Sequence, residues 1–343
     1  MLKHNLAVLA SVLLANSAYA DGVDRAAAIG LSKRPEMAVG FLSRENSPLG
    51  DRFARQKILT KIGILGKGTS VIDRDIRFSP VVAYDGNING GLPAESVTVS
   101  GLTFDLPEKY RIKSGLTVGG RLGASLHGHW FKGTNYSFKA HATAVQAPEH
   151  GLLKSGYDAE ACTVTMLDYR TFMKGCAGLS GYQIDLGQGH TRRLSGGLTH
   201  YAEIAGRDVL FNASIEPRWM RGASDYEQVI TTLGATVAVS PQWAPSVSFS
   251  KGSDVDGVTA FSEGVTVQSA HRIFGYRATA ALGVSTFRGG FFLGEEITNK
   301  RVSANLGVKL PKGVAVTAGY FEQTGRHSFF ADSGYNFTIS KEF

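Results

Sequence analysis

The sequence predicts an all-β fold: a transmembrane outer-membrane β-barrel of about 14 antiparallel strands, preceded by a short N-terminal helical segment. After Ile76, apolar and polar residues alternate in segment after segment, and only a β-strand places a period of two on two separate faces. Many segments run about ten to fourteen residues, longer than strands of soluble sheets and sufficient to cross a bilayer at a tilt. Aromatic residues lie near the segment ends, as in interfacial girdles.

Residues 116–130 show the alternation clearly. Leu116, Val118 and Leu122 share one face, whereas Thr117 and Arg121 share the other. The same pattern recurs in residues 136–144, 209–215, 229–237 and 302–310. A soluble sandwich also alternates, but polar faces rich in Gly, Ser and Thr with scattered charges favour a wet lumen. Because lipid offers no partner to backbone groups, a spanning sheet must close.

The first 20 residues have the features of a secretory signal peptide. Lys3 precedes an apolar run, and Ala18-Tyr19-Ala20 forms a small-x-small cleavage site. The alternative, a membrane anchor, is disfavoured because the run is shorter than the roughly 20 residues of a spanning helix. We therefore expect the mature chain to begin at Asp21 and to reach the outer membrane of a Gram-negative bacterium.

Residues 21–75 do not alternate, and they contain helix-start signals. Asp24 can cap a first helix, Pro35 restarts one, and Ser47-Pro48 combines a cap residue with a proline at the first helical position. We expect a periplasmic helical cap that packs on itself or on the barrel mouth; a lumenal plug is the alternative. The predicted divisions are thus residues 1–20, 21–75 and 76–343.

Connector lengths predict the topology, because such barrels have short periplasmic turns and longer external loops. The longer or more polar connectors are 148–158, 185–192, 218–228, 250–263, 288–299 and 322–333. With 76–85 as the first strand and 87–111 as a long external loop, the count is fourteen. Residues 96–104 could form a further strand, which would imply sixteen.

The charged residues predict which ions an open lumen would favour. The formal net charge is +7, and removal of Lys3 leaves +6, spread too thinly to indicate nucleic-acid binding. Nine basic or histidine side chains are predicted to line the lumen: Arg121, His127, His129, Lys139, His141, Arg193, Arg277, Arg301 and Lys309. Asp208, Glu203 and Glu216 oppose them, so an open lumen should favour anions weakly.

Signals for an enzyme are poor. Ser180 lies in GLSGY rather than GxSxG, and GILGKG from Gly63 lacks the spacing of a phosphate-binding loop. We expect no catalytic residue, cofactor or metal. A turn centred on Thr134 would pair His127 with His141, so a metal site is the alternative to a plain polar lining.

Cys162 and Cys176 are the two cysteines of the chain. A hairpin centred near Tyr169 would set them directly opposite, at about bridging distance. The oxidising periplasm permits the bond, so we predict a disulfide; two apolar free thiols are the alternative.

Both ends of the predicted barrel resemble a known family. The first strand and loop SPVVAYDGNINGG, with the triplet Asn87-Ile88-Asn89, and the final HSFFADSGYNFTISKEF, with Phe329-Phe330 and the terminal Phe343, resemble the C-terminal barrel of surface lipoprotein assembly modifiers. The resemblance covers residues 76–343. It implies that the barrel-insertion machinery reads Phe343, and that a surface lipoprotein is the client. This chain differs in having room for one or two helical hairpins, whereas repeat arrays generally need three or more units.

Three functions follow as hypotheses. The first is a translocation or assembly accessory for surface lipoproteins, the second a passive porin for small solutes, and the third an outer-membrane enzyme. The expected partners are outer-membrane lipid, the barrel-insertion machinery and the lipoprotein client, without nucleic acid.

Overall fold

The computed structural model describes residues 29, 32, 34–43, 49–65, 68–99, 102–222, 224–292, 294–325 and 331–341. Several predictions lie outside these residues: the signal peptide 1–20, the cap residues Asp24, Ser47 and Pro48, the loop residues Phe329 and Phe330, and the predicted assembly signal Phe343.

The described residues form two α-helices of several turns, two short 3-10 helices (Glu108–Tyr110 and Pro311–Gly313) and sixteen strands. The α-helices are α1 (Pro35–Phe41) and α2 (Leu49–Lys61). The strands are β1 (Ser70–Asp85), β2 (Ser96–Val99), β3 (Leu102–Asp105), β4 (Gly115–Phe131), β5 (Thr134–Ala147), β6 (Leu152–Met166), β7 (Thr171–Ile184), β8 (Gly187–Ile204), β9 (Arg207–Gly222), β10 (Tyr226–Ala238), β11 (Trp243–Gly252), β12 (Ala260–Ile273), β13 (Tyr276–Phe292), β14 (Glu295–Lys309), β15 (Val314–Gly325) and β16 (Asp332–Lys341).

Fourteen of these strands close into one antiparallel barrel. Strands β4 to β16 each pair with the next in sequence, and β1 pairs with both β4 and β16. The remaining two, β2 and β3, pair only with each other in a small hairpin. The predicted all-β class and the count of fourteen are confirmed. Residues 96–104 contain β2 and part of β3, which explains their strand-like pattern without adding to the barrel.

Large apolar side chains cover the outer face of the barrel. Leu122 is 54% exposed and Leu306 is 62% exposed, whereas Thr117, an inward residue of the same strand as Leu122, is buried. Apolar groups avoid water, so an exposed apolar belt of this extent is the surface of a barrel that contacts lipid. Among the described residues, no helix combines the length and hydrophobicity needed to cross a membrane.

The barrel has two different ends. We call the end that contacts α1 and α2 the helix end and the opposite end, reached by residues 86–114, the loop end. Three connectors predicted to be long at the loop end are short: 148–151, 185–186 and 223–225. The strands continue through the predicted loops instead. Backbone pairing continues beyond the lipid belt. There both faces of a strand carry polar side chains, so the sequence shows no alternation of apolar and polar residues.

The helical segment lies inside the helix end of the barrel, against inward-facing side chains. Met37 of α1 packs with Tyr201 and Leu210, and Val39 packs with Phe172. Gly40 is needed at this contact, because an added Cβ would lie 2.3 Å from Cγ of Tyr201. This position corresponds to the plug alternative. Strand β1 begins at Ser70, six residues before the expected boundary.

A tight turn at the helix end joins β6 to β7. Backbone N–H groups of Arg170 and Thr171 donate to Oδ1 of Asp168, at 2.7 and 2.9 Å. Hydrogen bonds that favour the charged carboxylate, the one from Arg170 first, lower the pKa of Asp168 below its ordinary value.

Candidate functional site: the barrel lumen

The inward face of the barrel follows from the strand register, because residues paired across the sheet share a face. Arg121 pairs with Thr143, opposite in direction to the exposed Leu122. The same reasoning along each strand places all nine residues predicted to line the lumen on the inward face: Arg121, His127, His129, Lys139, His141, Arg193, Arg277, Arg301 and Lys309.

Carboxylates neutralise the basic residues on one side of the lumen. Nη2 of Arg193 lies 2.8 Å from Oδ2 of Asp158 and 3.9 Å from Oε2 of Glu160. On the adjacent strand β9, Arg218 forms an ion pair with Glu216 of the same strand. This wall, formed by β6 to β9, therefore has little net charge to offer a solute.

A polar chamber of about 560 Å³ lies between the plug and strands β10 to β16. Arg34 of the helical segment and Arg277 of β13 both line it, together with Gln268, Asn305 and Asn336. None of the described residues that line the chamber is acidic. The plug covers the β6 to β10 wall with its apolar side, so this chamber is the part of the lumen left open beside it.

A second cavity of about 450 Å³ lies at the loop end. Arg301, Lys154 and Asp85 line it, and Nζ of Lys154 lies 2.6 Å from Oδ2 of Asp85. The guanidinium of Arg301 stacks 4.2 Å above the ring centre of Phe321. Asn336 lines both this cavity and the chamber, so the two spaces adjoin at this residue.

Two amide side chains lie on the wall where the two cavities adjoin. A Cβ added at Gly319 would lie 2.6 Å from Oδ1 of Asn305 and 2.7 Å from Oδ1 of Asn336. Two amide side chains therefore meet over the backbone of Gly319, and any larger residue there would push them into the lumen. The two amides form a polar patch on the wall of β14 to β16, with Arg301 on the loop-end side and Arg277 on the helix-end side.

The first long loop, residues 86–114, lies across the loop end. Asn89 is fully buried; its Nδ2 donates to the carbonyl of Arg111 at 2.8 Å, and its Oδ1 accepts from the N–H of Lys113 at 2.9 Å. The carbonyl of Asn89 also accepts from the N–H of Leu186, between β7 and β8. The loop is thus bonded to a distant part of the rim and narrows the opening.

The predicted pairing of His127 with His141 is wrong. His127 pairs with Ser137, and His141 pairs with Gly123, because the β4–β5 turn is centred nearer residue 132 than Thr134. His129 contacts Ser70 and the carbonyl of Gly68 instead. The histidines are spread along the inward wall and do not converge on one point.

The predicted disulfide is confirmed. Cys162 pairs directly with Cys176 across β6 and β7, with Cα atoms 4.1 Å apart. Cys162 also pairs with the inward-facing Ser137, so the bond lies on the lumen wall. Glu160 lies beside the two sulfur atoms, but bonded cysteines cannot ligate a metal.

Three residues that line the two cavities are missing from the residues that the sequence predicts to line the lumen: Arg34, Lys154 and Asn336. Arg34 lies in the non-alternating segment, where no period indicates a direction. The sequence predicts a loop over 148–158, which contains Lys154, whereas in the structure this lysine is an inward residue of β6. Asn336 was visible as a polar residue of the last strand, but its position between two cavities depends on closure of the barrel.

No protein-family model and no curated protein sequence matches the chain. Among solved structures, the barrel is similar to OccK1 (OpdK) of Pseudomonas aeruginosa, at 9% identity over 78% of this chain and 98% of that chain, with a TM-score of 0.41. The outer membrane channel DcaP of Acinetobacter baumannii is similar at 13% identity over 82% and 99% of the two chains, with a TM-score of 0.44. At such values, the activity of this chain has to be argued from its own residues.

Proposed function

We propose that this chain is an outer-membrane channel that passes small anionic solutes through the space beside its helical plug. The observation that supports this most directly is the row of cationic side chains along the open side of the lumen. Arg301 lies at the loop end beside the Lys154–Asp85 ion pair, and Arg277 and Arg34 lie in the chamber. The amides of Asn305 and Asn336 lie between Arg301 and Arg277 on the same wall.

The barrel and its outer belt support the location. A closed sheet satisfies every backbone group internally, which lipid requires, and closed antiparallel barrels of this kind belong to bacterial outer membranes. In the orientation that puts short turns in the periplasm, the helix end is periplasmic. The loop end then faces the outside.

The size of the free space limits the solute. A chamber of about 560 Å³ matches the volume of small-molecule sites. The plug narrows one end, and loop 86–114 narrows the other. A folded protein client cannot pass such a lumen, whereas a small solute can.

The charges favour anions. A guanidinium about 4 Å from a unit negative charge contributes roughly 1 kcal/mol of attraction in water and more where the protein excludes water. The carboxylates paired with Arg193 and Arg218 lie on the opposite wall. An anion near Arg277 therefore meets uncompensated positive charge in a confined space.

The test is the ion selectivity of single channels in planar bilayers under a salt gradient. We expect an anion-selective reversal potential for the wild type and a shift towards cation selectivity in R277Q/R301Q. R288Q/K300Q is the matched control, since both residues are on the outward face of β13 and β14. Equal selectivity in the two double variants would contradict the proposal.

The export role implied by the family resemblance is tested in the same experiment. A lipoprotein assembly accessory needs a client, so conductance of the purified protein alone supports the channel. A protein that conducts nothing, but whose deletion removes a lipidated protein from the cell surface, would instead be an assembly accessory.

A further inference from the structure

A shallow groove of about 690 Å³ lies on the outer face of the barrel, between β5 and β9. Its floor consists of Ala159, Ala161 and Ala177. Their methyl groups project less far from the sheet than the larger side chains around them. Phe138 and Leu194 flank them, since Phe138 pairs with Ala161 and Leu194 pairs with Ala177. The floor is apolar and long enough to hold part of a hydrocarbon chain.

The depth of the groove in the membrane follows from β8. The outward residues Leu194, Leu198 and Ile204 are exposed and apolar, and His200, close to the helix end, is the one polar outward side chain between them. The stretch from Leu194 to Ile204, at about 3.3 Å per residue and a tilt of about 40°, is about 25 Å high, the height of a barrel's lipid belt. The next outward residue towards the loop end is Arg192. Its guanidinium therefore lies at headgroup level.

A second arginine lies beside the first. Arg192 pairs with Trp219, and Arg221 is two residues further along the same strand β9, so the two arginines are diagonal neighbours about 7 to 8 Å apart at their backbones. Both line the groove, together with Trp219, which pairs with Arg192 and lies two residues from Arg221 on β9. Two long side chains at this spacing can reach one anionic group together.

The charges of these arginines are available. No ion pair or hydrogen bond joins the guanidinium of Arg192 to any residue that the structure describes. Arg221 donates one exposed hydrogen bond from Nη1 to the carbonyl of Met220, at 3.3 Å. Its ion pairs are long, 3.8 Å to Oδ2 of Asp225 and 3.9 Å to Oε1 of Glu227, and all three side chains are more than half exposed. Such exposed pairs contribute little, so a doubly charged phosphate competes with them.

We propose that this groove is a binding site for a phosphorylated acyl lipid of the leaflet that surrounds the loop end. The phosphate binds between Arg192 and Arg221, because guanidinium groups form paired hydrogen bonds with phosphate oxygens. An acyl chain lies over the alanine floor, and Trp219 lies at headgroup level, where its ring is favoured. The inference depends on the membrane location but not on conduction through the lumen.

The test is native mass spectrometry of the detergent-purified barrel with lipid A as the probe. We expect retention of bis-phosphorylated lipid A and at least tenfold weaker binding of enzymatically dephosphorylated lipid A. R192Q/R221Q should lose the preference for the phosphorylated form, whereas R288Q/K300Q, with the same change in charge on another part of the outer face, should keep it.

A second pair of variants tests the floor. Ala177→Leu fills the groove and should weaken lipid A binding, whereas Ala213→Leu, outward on β9 but absent from the groove, should not. Equal lipid A binding by wild type and R192Q/R221Q would overturn the proposal, as would displacement of lipid A by an equal concentration of inorganic phosphate. R192Q/R221Q should keep the ion selectivity of the wild type. A loss of lipid A binding with unchanged selectivity therefore tests the lipid site independently of the proposed channel function.

Discussion

Arginine substitutions along β14 should show which face of the sheet contacts lipid and which faces the lumen. Leu306 is 62% exposed on the outward face, midway in the apolar stretch from Val302 to Leu310. It is four residues from each end of that stretch, about 13 Å along the strand or 10 Å in height at a tilt of about 40°. Leu306 therefore lies near the bilayer midplane. Leu306→Arg should lower the free energy of unfolding by about 2 to 4 kcal/mol.

Two further variants of β14 show how the cost in unfolding free energy should depend on depth and on face. Val302→Arg lies at the edge of the belt, next to the outward Lys300, and should cost about 0 to 1 kcal/mol. Asn305→Arg points into the wet lumen and should cost less than about 1 kcal/mol. The assay is reversible urea unfolding in phospholipid vesicles, followed by tryptophan fluorescence. A larger cost for Asn305→Arg than for Leu306→Arg would show that the inward and outward assignments are reversed.

Three further predictions concern the plug, the disulfide and the helix-end turn. Gly40→Leu should prevent docking of α1 and raise single-channel conductance, whereas Gln56→Leu, on an exposed part of α2, should leave it unchanged. Reduction of Cys162–Cys176 should lower the free energy of unfolding by less than the roughly 3 kcal/mol of the chain-entropy model, because the hairpin already restricts the loop; unchanged urea midpoints with and without reductant would contradict this. Because hydrogen bonds from backbone N–H groups lower the pKa of Asp168, its stabilisation is present above the ordinary value of 3.8 and disappears as the pH falls through the lower folded pKa. Thermal unfolding across the acidic range should show this loss in the wild type and not in Asp168→Asn.

The sequence by itself determined the barrel, its strand number and the direction of most side chains. Alternation is a local property, because neighbouring residues of a strand point to opposite faces whatever the strand pairs with. Arg121 and Leu122 could therefore be assigned to lumen and lipid from their order alone. The pairing of Cys162 with Cys176 was equally local, since a short turn fixes the register of its hairpin.

Only the tertiary structure decided where the strands end, where the helices lie and which lumen residues meet. Above the lipid belt, polar residues can form either strand or loop, so Lys154 was not recognised as part of β6. The direction of Arg34 depends on how α1 packs against Tyr201, a contact between residues far apart in sequence. Arg277, Asn336 and Arg301 line one path because the sheet curves until its first and last strands pair, and closure is a property of the whole barrel that no single segment contains.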